Sequence, residues 1–572
     1  MATFDLVIRN AEVHDGLGSE PRIADIGVSA GRIAAIGEGL GSGEKEIDAT
    51  GLIATPGFVD IHTHYDGQAT WENRLSPSSN HGVTTVVMGN CGVGFAPCRP
   101  HQHDMLVELM EGVEDIPEVV MTEGLPWNWE TFPQYLDALA ARPLDVDVCA
   151  QAPHSALRVY VMGERGARRE APTADDLDQM RALTAEAVRA GAFGVSTSRN
   201  MLHRTRAGDL APSLHSEVDE LVALGLGLKD AGAGVFQLIV DIVGDADVEF
   251  DLMEKVAEAS GRPLSFSLLQ MPVGEPGLWR RYLHRLEAAN DRGLEMRAQV
   301  YPRPVGMLYG LDLSFHAFSL HPSFQALNDL SVPEKVQAMR DPRLKAQLLS
   351  ETPEHTNPVS IKTVQNFTFT YLMGDPPNYT PDPTDRLDHQ AALRGLSPLE
   401  YAYDLLVENE GRNIFFLPGA NYRDANLDAV REMTNHQHTV MALGDGGAHY
   451  GMICDASFTT FYLQNEVRDA PPERKVALKD AVKALTSEPA ATVGLKDRGR
   501  LEVGLVADIN LIDLASLALH APTIARDRPA GGRRLKQEAD GYVATFKNGV
   551  ATYQDGAPTG ALPGGLVRNT AA

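Results

Sequence analysis

The sequence predicts an α/β protein with three parts: a closed (β/α)8 barrel, a small β-sandwich domain formed by both chain termini, and a lid subdomain inserted into the barrel. Three observations predict this arrangement. Short alternating segments occur at both ends of the chain, strand-like runs alternate with amphipathic helices between them, and this rhythm breaks once, between residues 302 and 438. A chain of 572 residues has room for one large domain and at least one smaller one.

The two chain ends carry matching β-rich blocks. Residues 1–56 contain FDLVIRN, ADIGVSAGRIAAIGEG and KEIDATGLIATPG, and residues 495–560 contain GRLEVGLVADINLID and GYVATFKNGVATY. Apolar and polar residues alternate in these segments, and Gly, Asp and Asn-Gly separate them as turns do. We expect the blocks to pair into one β-sandwich domain, followed by a C-terminal tail at residues 561–572.

Residues 57–490 show the alternation of strands and helices that is typical of parallel strands joined by helical crossovers. The helical stretch TADDLDQMRALTAEAVRAG begins at a candidate N-cap threonine and stops at glycine. Eight strands are enough to close a barrel. The candidate strands are GFVDIHTH (57–64), VTTVVMGN (83–90), LDVDVCAQA (144–152), AFGVSTS (192–198), GVFQLIVD (234–241), PLSFSLLQ (263–270), EMRAQVYP (295–302) and HTVMALGD (438–445).

The seventh and eighth candidate strands are too far apart for an ordinary connection, so residues 304–410 are predicted to form an inserted subdomain. Its Pro-rich stretch MGDPPNYTPDPTD favours a mobile cover over a further piece of barrel wall. Catalytic groups of such barrels lie at the C-terminal ends of the strands, so we expect the cover to close over that end.

Composition narrows the class of protein. With 43% hydrophobic and 22% charged residues the chain is typical of a globular protein, and its net charge of -27 disfavours nucleic acid and acidic membrane surfaces as partners. The N-terminus lacks the order of a secretory signal, and no apolar run approaches the roughly 20 residues that span a bilayer. We expect a cytoplasmic homo-oligomer whose partner is a small molecule. Its 4 cysteines are too few for a disulfide framework.

Four residues point to a metal site. His62 and His64 end the first candidate strand, Cys91 follows the second, and Asp445 closes the eighth. Alternate residues of a strand face the same way, so the two imidazoles can hold one ion, although the pair alone also fits the polar end of a buried strand. A thiolate and two imidazoles suit zinc, and Asp445 can both ligate the ion and accept a proton from bound water. Zinc lowers the pKa of that water to about 7, which allows attack on an amide carbonyl.

Several longer segments carry a resemblance to a known family. ATPGFVDIHTHYD and a strand-eight Asp resemble the amidohydrolase superfamily. The segments GNCGVGFAPC, LMEGVEDIP, HSALRVYVMG, LGDGGAHYGMICDAS and LVADINLID resemble, more narrowly, the D-aminoacylase (N-acyl-D-amino-acid deacylase) family over nearly the whole chain. In that family a Cys replaces the carbamylated Lys that bridges two metals in related enzymes, and Cys91 occupies that position. The resemblance implies an acyl-amide hydrolase in which Asp445 shuttles the proton.

The chain departs from that family at the metal site. The family has two further histidine ligands, at the ends of strands five and six, where GVFQLIVD and PLSFSLLQ contain no histidine. The missing ligands fall near Ile239 and Leu268, which cannot bind a cation of this kind. We therefore predict a single zinc per chain, held by His62, His64, Cys91 and Asp445.

Substrate recognition also departs from the family. Family members tend to carry a Lys for the substrate carboxylate just after the strand-six histidine, and this chain has Gln270 there. Tyr301 matches a family tyrosine that can polarise the scissile carbonyl. Three arginines are further candidates, because they can bind an anionic group of the substrate, although a lone arginine is more often structural. Two histidines in the matched motifs are also candidates, either as substrate contacts or as groups that support a ligand. These arginines and histidines are Arg158, Arg199, Arg204, His154 and His449.

Three functions follow as hypotheses. The leading one is a zinc hydrolase of N-acyl amino acids or similar N-acyl or aryl amides. The second is a related hydrolase of a cyclic amide, carbamate or urea, because the fold and the metal set the nucleophile while loops choose the substrate. The third is a non-catalytic scaffold on the same barrel, which the missing histidines favour and the four retained ligands oppose.

Overall fold

A computed structural model describes residues 3–205, 207–214, 216–241, 244–354 and 358–570. Its apolar core falls into three clusters, one in the central part of the chain, one between the chain ends and one in the predicted insertion. Within the described ranges, no helix combines the length and the apolar composition needed to cross a bilayer.

The chain ends share one sheet, as predicted. Strand Ile509–Ile512 pairs antiparallel with Ile53–Pro56, which in turn pairs parallel with Phe4–Val13. Hydrogen bonding joins nine strands of the two terminal blocks into a single branched sheet. Its folding into a sandwich stays a prediction from the sequence. The remaining strands of the sheet are Arg22–Ser29, Arg32–Gly37, Gly43–Asp48, Tyr542–Lys547, Val550–Gln554 and Ala557–Pro558.

The C-terminal segment predicted as a tail at residues 561–572 is packed on the central domain where it is described. Gly564 exchanges two backbone hydrogen bonds with Leu144, of 2.8 and 3.1 Å, and Val567 donates to the Val148 carbonyl over 2.8 Å. A side chain at Gly564 would collide with the Val146 carbonyl, so only glycine allows this approach. The segment therefore extends the edge of a central strand instead of trailing from the terminal sheet.

All eight predicted central strands are present, and they run parallel. They form two sheets, one of three strands and one of six, because the third predicted strand is divided between them. The smaller sheet contains Phe58–Asp60, Val83–Met88 and Asp147–Ala150. The larger one contains Ala152–Pro153, Gly194–Ser198, Val235–Ile239, Leu264–Ser267, Met296–Val300 and Thr439–Met441.

Helices connect these strands. The predicted helix is Ala174–Ala190, with Thr173 and Asp176 in a capping box and Gly191 at φ 120° as its C-cap. The other α-helices of the described residues are Gln68–Trp71, His103–Glu114, Glu118–Gly124, Phe132–Ala140, His154–Met162, Glu164–Ala167, Val218–Ala231, Ala246–Ser260, Leu278–Asp291, Pro322–Gln325, Val332–Met339, Pro342–Ser350, Pro358–Val364, Leu387–Leu393, Pro398–Val407, Asp428–Thr434, Phe458–Phe461, Leu478–Leu485 and Ser487–Thr492.

The predicted insertion has its own sheet and its own apolar cluster. Strand Phe415–Ala420 pairs antiparallel with Val305–Tyr309 and with Tyr371–Leu372, so the insertion extends past the predicted boundary at 410. Its cluster contains Phe318 and Tyr403, whose rings meet edge to face. The Leu308 amide donates to the Met452 carbonyl over 2.7 Å, which attaches the insertion to the loop after the last parallel strand.

Candidate metal centre

The four predicted ligands meet at the C-terminal ends of the parallel strands. His62 Nε2 lies 3.4 Å from Cys91 Sγ and 3.6 Å from Asp445 Oδ1. His64 Nε2 lies 3.7 Å from the same sulfur and 3.6 Å from the same oxygen. The strand ladders end just before each of them, so all four side chains come from the first residues of the following loops.

These separations fit a zinc ion. In tetrahedral sites zinc lies about 2.0–2.1 Å from nitrogen and about 2.3 Å from sulfur, which places neighbouring ligand atoms roughly 3.3–3.6 Å apart. The observed distances of 3.4, 3.6, 3.6 and 3.7 Å agree with that geometry. The donor set of two imidazoles, one thiolate and one carboxylate is also one that zinc prefers.

Both histidines present Nε2 to the site because their Nδ1 atoms face other groups. His62 Nδ1 donates to Gln299 Oε1 over 2.7 Å, and His64 Nδ1 lies 3.4 Å from Glu114 Oε1. Such partners fix the ring orientation and the tautomer of a ligating histidine. Burial lowers the pKa of His62 to about 4 and that of His64 to about 3, so both are neutral at pH 7 and can donate a lone pair.

Cys91 needs a cation to act as a ligand. Burial, followed by the charges of Glu114 and Asp445, raises the pKa of its thiol well above the ordinary value. A coordinating metal reverses this preference, since the thiolate is the form that binds. Burial likewise raises the pKa of the Asp445 carboxyl, and the His62 and His449 rings oppose the effect.

The backbone around the site is strained. Cys91, Asp445 and His449 have φ of 56°, 48° and 53°, in the left-handed region that most side chains avoid. Hydrogen bonds hold two of them there: the Asp445 amide donates to the His62 carbonyl over 3.1 Å, and the His449 amide to the Glu114 carbonyl over 2.5 Å. Strain of this kind concentrates at functional sites, where the surrounding structure maintains it.

A cavity of about 140 Å3 adjoins the four ligands. The predicted His449 lines it, together with four polar residues that the motifs did not single out: Glu114, Asn200, His203 and Ser267. Glu114 lies in LMEGVEDIP, one of the segments with family resemblance, and that was an available signal. His203 follows strand Gly194–Ser198 in a loop without any recognisable spacing, so nothing in the sequence distinguished it.

The places of the missing histidines are also in the cavity wall. Ile239 lines the cavity as expected, but Leu268 does not: its side chain is buried in the central core. Ser267 and Leu269 line the cavity instead, because neighbouring side chains alternate between the two faces of the strand.

Two predicted substrate residues are held by one buried acid. His154 Nε2 lies 2.9 Å from Glu220 Oε1, and the Arg158 guanidinium forms a buried ion pair with the same carboxylate. Neither side chain is among those that line the cavity. In the structure both side chains bind Glu220 and lie outside the cavity lining, and their predicted contact with substrate stays a prediction.

Four other predicted substrate residues also have protein partners outside the lining. Arg199 Nε donates to Glu249 Oε2 over 2.7 Å, and Arg204 donates to the Gly208 carbonyl over 3.0 Å. Gln270 donates its amide to Asp424 Oδ2 over 2.8 Å. The Tyr301 hydroxyl donates to the Asp455 carbonyl over 2.8 Å and accepts from Arg303 Nε. Only His449 of the seven predicted substrate residues lines the cavity.

The buried Glu220 pair leads to a stability prediction. Burial raises the pKa of Glu220, but the hydrogen bonds and charges of His154 and Arg158 outweigh burial and bring it to about 2, below its ordinary 4.5. Its stabilising contribution is therefore present above pH 4.5 and is lost as the pH falls through 2. Glu220→Gln should lower the free energy of unfolding at pH 7 by about 3–5 kcal/mol, because Arg158 is left buried without its partner.

Denaturant titration of metal-free protein at several pH values measures this effect. The difference in the free energy of unfolding between wild type and Glu220→Gln should decrease as the pH falls from 4.5 towards 2. The control is Glu164→Gln, which removes an exposed ion pair with Arg168 and should cost about 0.3–0.5 kcal/mol. If Glu220→Gln lowered the free energy of unfolding as little as the control does, the stabilising role of the buried Glu220–Arg158 pair would be contradicted.

Comparison with known proteins now places the chain. The model of the amidohydrolase family matches residues 45–553. This chain belongs to that family. It is 27% identical to the N-acyl-D-aspartate deacylase of Alcaligenes xylosoxydans xylosoxydans over 574 residues, covering 99% of this chain and 95% of that relative. It is 36% identical to the D-aminoacylase of the same organism over 195 residues, which cover 34% of this chain and 37% of that relative.

Solved structures of amidohydrolases have the same mixed α/β fold. A D-aminoacylase described for its binuclear metal center superposes with a TM-score of 0.66 at 24% identity, covering 99% of this chain and 100% of that one. The N-acyl-D-glutamate deacylase from Bordetella bronchiseptica, complexed with zinc and a phosphonate inhibitor, superposes with a TM-score of 0.66 at 23% identity and the same coverage. The predicted membership of the amidohydrolases is confirmed.

Proposed function

We propose that this amidohydrolase is a metal-dependent hydrolase that cleaves the amide bond of N-acyl amino acids or similar N-acyl or aryl amides. The observation that carries the proposal is the cluster of His62, His64 and Cys91, whose ligand atoms all lie within 4.8 Å of one another. Asp445 Oδ1 lies 3.6 Å from both imidazoles, and the group lines a cavity at the C-terminal ends of parallel strands. The relatives named for D-aminoacylase, N-acyl-D-aspartate deacylase and N-acyl-D-glutamate deacylase activity support the choice of bond.

We propose one zinc per chain, held by these four side chains, although the related D-aminoacylase has a binuclear center. Two further histidines are expected near Ile239 and Leu268. Ile239 lines the cavity, as do Ser267 and Leu269 on either side of Leu268, and none of these is a good ligand for zinc. When bound, zinc supplies Lewis acidity and lowers the pKa of a coordinated water to about 7.

Asp445 is the residue that moves the proton. Its Oδ1 atom faces both histidines and would ligate the metal, and its other carboxylate oxygen would take the proton of the attacking water and pass it to the leaving nitrogen. His62 and His64 stay neutral at pH 7, held by Gln299 and Glu114, and do not compete for the proton.

Two features of the fold belong to the same proposal. The two parallel sheets are arcs of one closed barrel, supported by the hydrogen bond of 2.7 Å from the His64 amide to the Gly446 carbonyl, which bridges the first and last strands. The insertion acts as a cover over the cavity, supported by Val305, which belongs to the insertion and lines it. Cytoplasmic location and homo-oligomeric assembly stay predictions from the sequence.

A substrate panel tests the proposed function. Purified protein loaded with zinc is incubated with N-acyl-D-amino acids, their L-forms, neutral anilides and a cyclic amide, and released amine is quantified. We expect hydrolysis of at least one N-acyl amide, loss of that activity on chelation, and its return with one equivalent of zinc. Cleavage of the cyclic amide alone would support the second hypothesis, and no cleavage of any substrate would support the scaffold.

A further inference from the structure

We propose that the cavity selects an uncharged apolar substrate arm, so that this protein hydrolyses neutral N-acyl amides in preference to N-acyl amino acids with a free carboxylate. The inference rests on the proposed hydrolase function and names the substrate class of the same site. Three observations carry it: an apolar wall, two carboxylates that face the same space, and arginines that are held elsewhere.

Part of the cavity wall is apolar. Ile239, Leu269, Val305 and Leu443 line it, and the first three are only partly buried, so they retain surface for a ligand. The cavity measures about 140 Å3. An apolar cavity of about 150 Å3 accommodates benzene, so a phenyl ring or a short aliphatic group fits this space.

The described lining of the cavity offers an anion no cationic side chain. Glu114 and Asp445 both line the cavity, and Glu114 Oε1 is buried without a hydrogen-bond partner among the described residues. In the proposed centre, the Cys91 thiolate and the Asp445 carboxylate together balance the two charges of a divalent cation. A substrate carboxylate would therefore meet no net positive charge and would face the Glu114 side chain.

The side chains suited to bind a carboxylate are engaged with other groups. Arg158 and Arg199 each bind a buried glutamate, and Arg204 donates to the Gly208 carbonyl. Among the described residues that line the cavity there is neither lysine nor arginine. To bind a substrate carboxylate, Arg158 or Arg199 would have to leave its glutamate buried and unpaired, which is strongly unfavourable.

Leu269 is the position from which a cation would reach the substrate. Its side chain lines the cavity, whereas the neighbouring Gln270 turns away and donates to Asp424. A lysine at position 269 would place an ammonium group in the cavity, and a lysine at 270 would not. This difference makes the inference testable by gain of function.

The experiment compares matched substrates that differ only in the charge of one group: an N-benzoyl-D-amino acid and its C-terminal amide, with the L-forms as a second pair. For the zinc-loaded wild type we expect kcat/KM to favour the neutral amide by at least about tenfold, which is about 1.4 kcal/mol. Equal values, or a preference for the carboxylate, would overturn the inference and leave the proposed function standing.

Leu269→Lys should shift the ratio of the two kcat/KM values towards the carboxylate by at least about tenfold. The matched control is Leu393→Lys, which introduces the same charge at a side chain that is 69% exposed, and which should keep the wild-type ratio. The inference would be overturned if both variants changed the ratio of kcat/KM values equally. It would also be overturned if Leu269→Lys left the ratio unchanged while circular dichroism showed an intact fold. If Leu269→Lys does not fold, the ratio of kcat/KM for the neutral amide to that for the carboxylate in the wild type decides whether the inference holds.

A binding measurement separates this inference from the proposed function. If neither substrate is hydrolysed, the proposed function fails, and calorimetric titration of the zinc-loaded wild type still compares the two ligands. A lower Kd for the amide supports a cavity selective for uncharged groups. An equal or lower Kd for the carboxylate overturns it.

Discussion

Asp445→Asn is expected to lower kcat by at least about 10²–10⁴-fold, the range that general acid–base catalysis contributes, while the fold stays intact. Asparagine has nearly the same shape as aspartate, but its amide cannot take the proton from the attacking water. It also tolerates the left-handed backbone at this position, where φ is 48°, so we expect little change in stability. Steady-state kinetics with the best amide from the substrate panel measures the effect.

The control for this variant is Asp428→Asn, which makes the same change at a side chain that is 74% exposed and should leave kcat unchanged. Zinc content is determined in parallel, because Asp445 is also a proposed ligand. A large loss of kcat with zinc retained would separate the proton-transfer role from ligation. Unchanged turnover in Asp445→Asn would remove the residue from the mechanism.

Cys91→Ala is expected to lower zinc affinity by at least about 100-fold, since even loss of a group that merely supports a ligand costs 10- to 100-fold. Wild-type protein should bind close to one zinc per chain, because both histidines lie close to Cys91 and the fifth and sixth strands bring no histidine to the cavity. Atomic absorption measures the stoichiometry, and competition with a chromogenic chelator measures the affinity. Cys149→Ala is the control, because that cysteine is buried within strand Asp147–Ala150.

Cobalt substitution distinguishes ligation by Cys91 from mere proximity. The wild type and Cys149→Ala should show the charge-transfer absorption of a thiolate bound to Co2+, and Cys91→Ala should lack it. A stoichiometry near two, or near zero with full activity, would contradict the single-zinc centre. Persistence of the absorption band in Cys91→Ala would exclude this cysteine as the ligand.

The ligands could be predicted from the sequence because each stands at a defined place relative to a strand. Parallel strands carry their C-terminal ends to one edge, so residues that follow the first, second and eighth strands meet although they are far apart in the chain. The detail differs from the prediction: the first strand ends at Asp60, whose carboxylate accepts a hydrogen bond of 3.1 Å from the His62 amide. His62 and His64 are thus oriented by a loop and by Gln299 and Glu114, instead of by strand alternation.

The substrate residues could not be predicted in the same way. An arginine in a sequence gives no sign of whether an acid will bind it, and the partners of Arg158 and Arg199 lie 62 and 50 residues further along the chain. Glu114 reaches the cavity from the end of a helix and His203 from a loop, and their positions depend on contacts with other segments, such as the hydrogen bond from the His449 amide to the Glu114 carbonyl. Local spacing carries no information about such contacts.

The sequence by itself determined the α/β class, the pairing of the two chain ends, the family and the four candidate ligands of one metal. These features depend on the local alternation of apolar residues and on motifs at strand ends, and each such pattern is contained within one short segment of the sequence. The tertiary structure decided which polar side chains are free to meet a substrate. Burial and pairing with distant partners occupy Arg158, Arg199 and Gln270, and leave Leu269 and Glu114 facing the cavity.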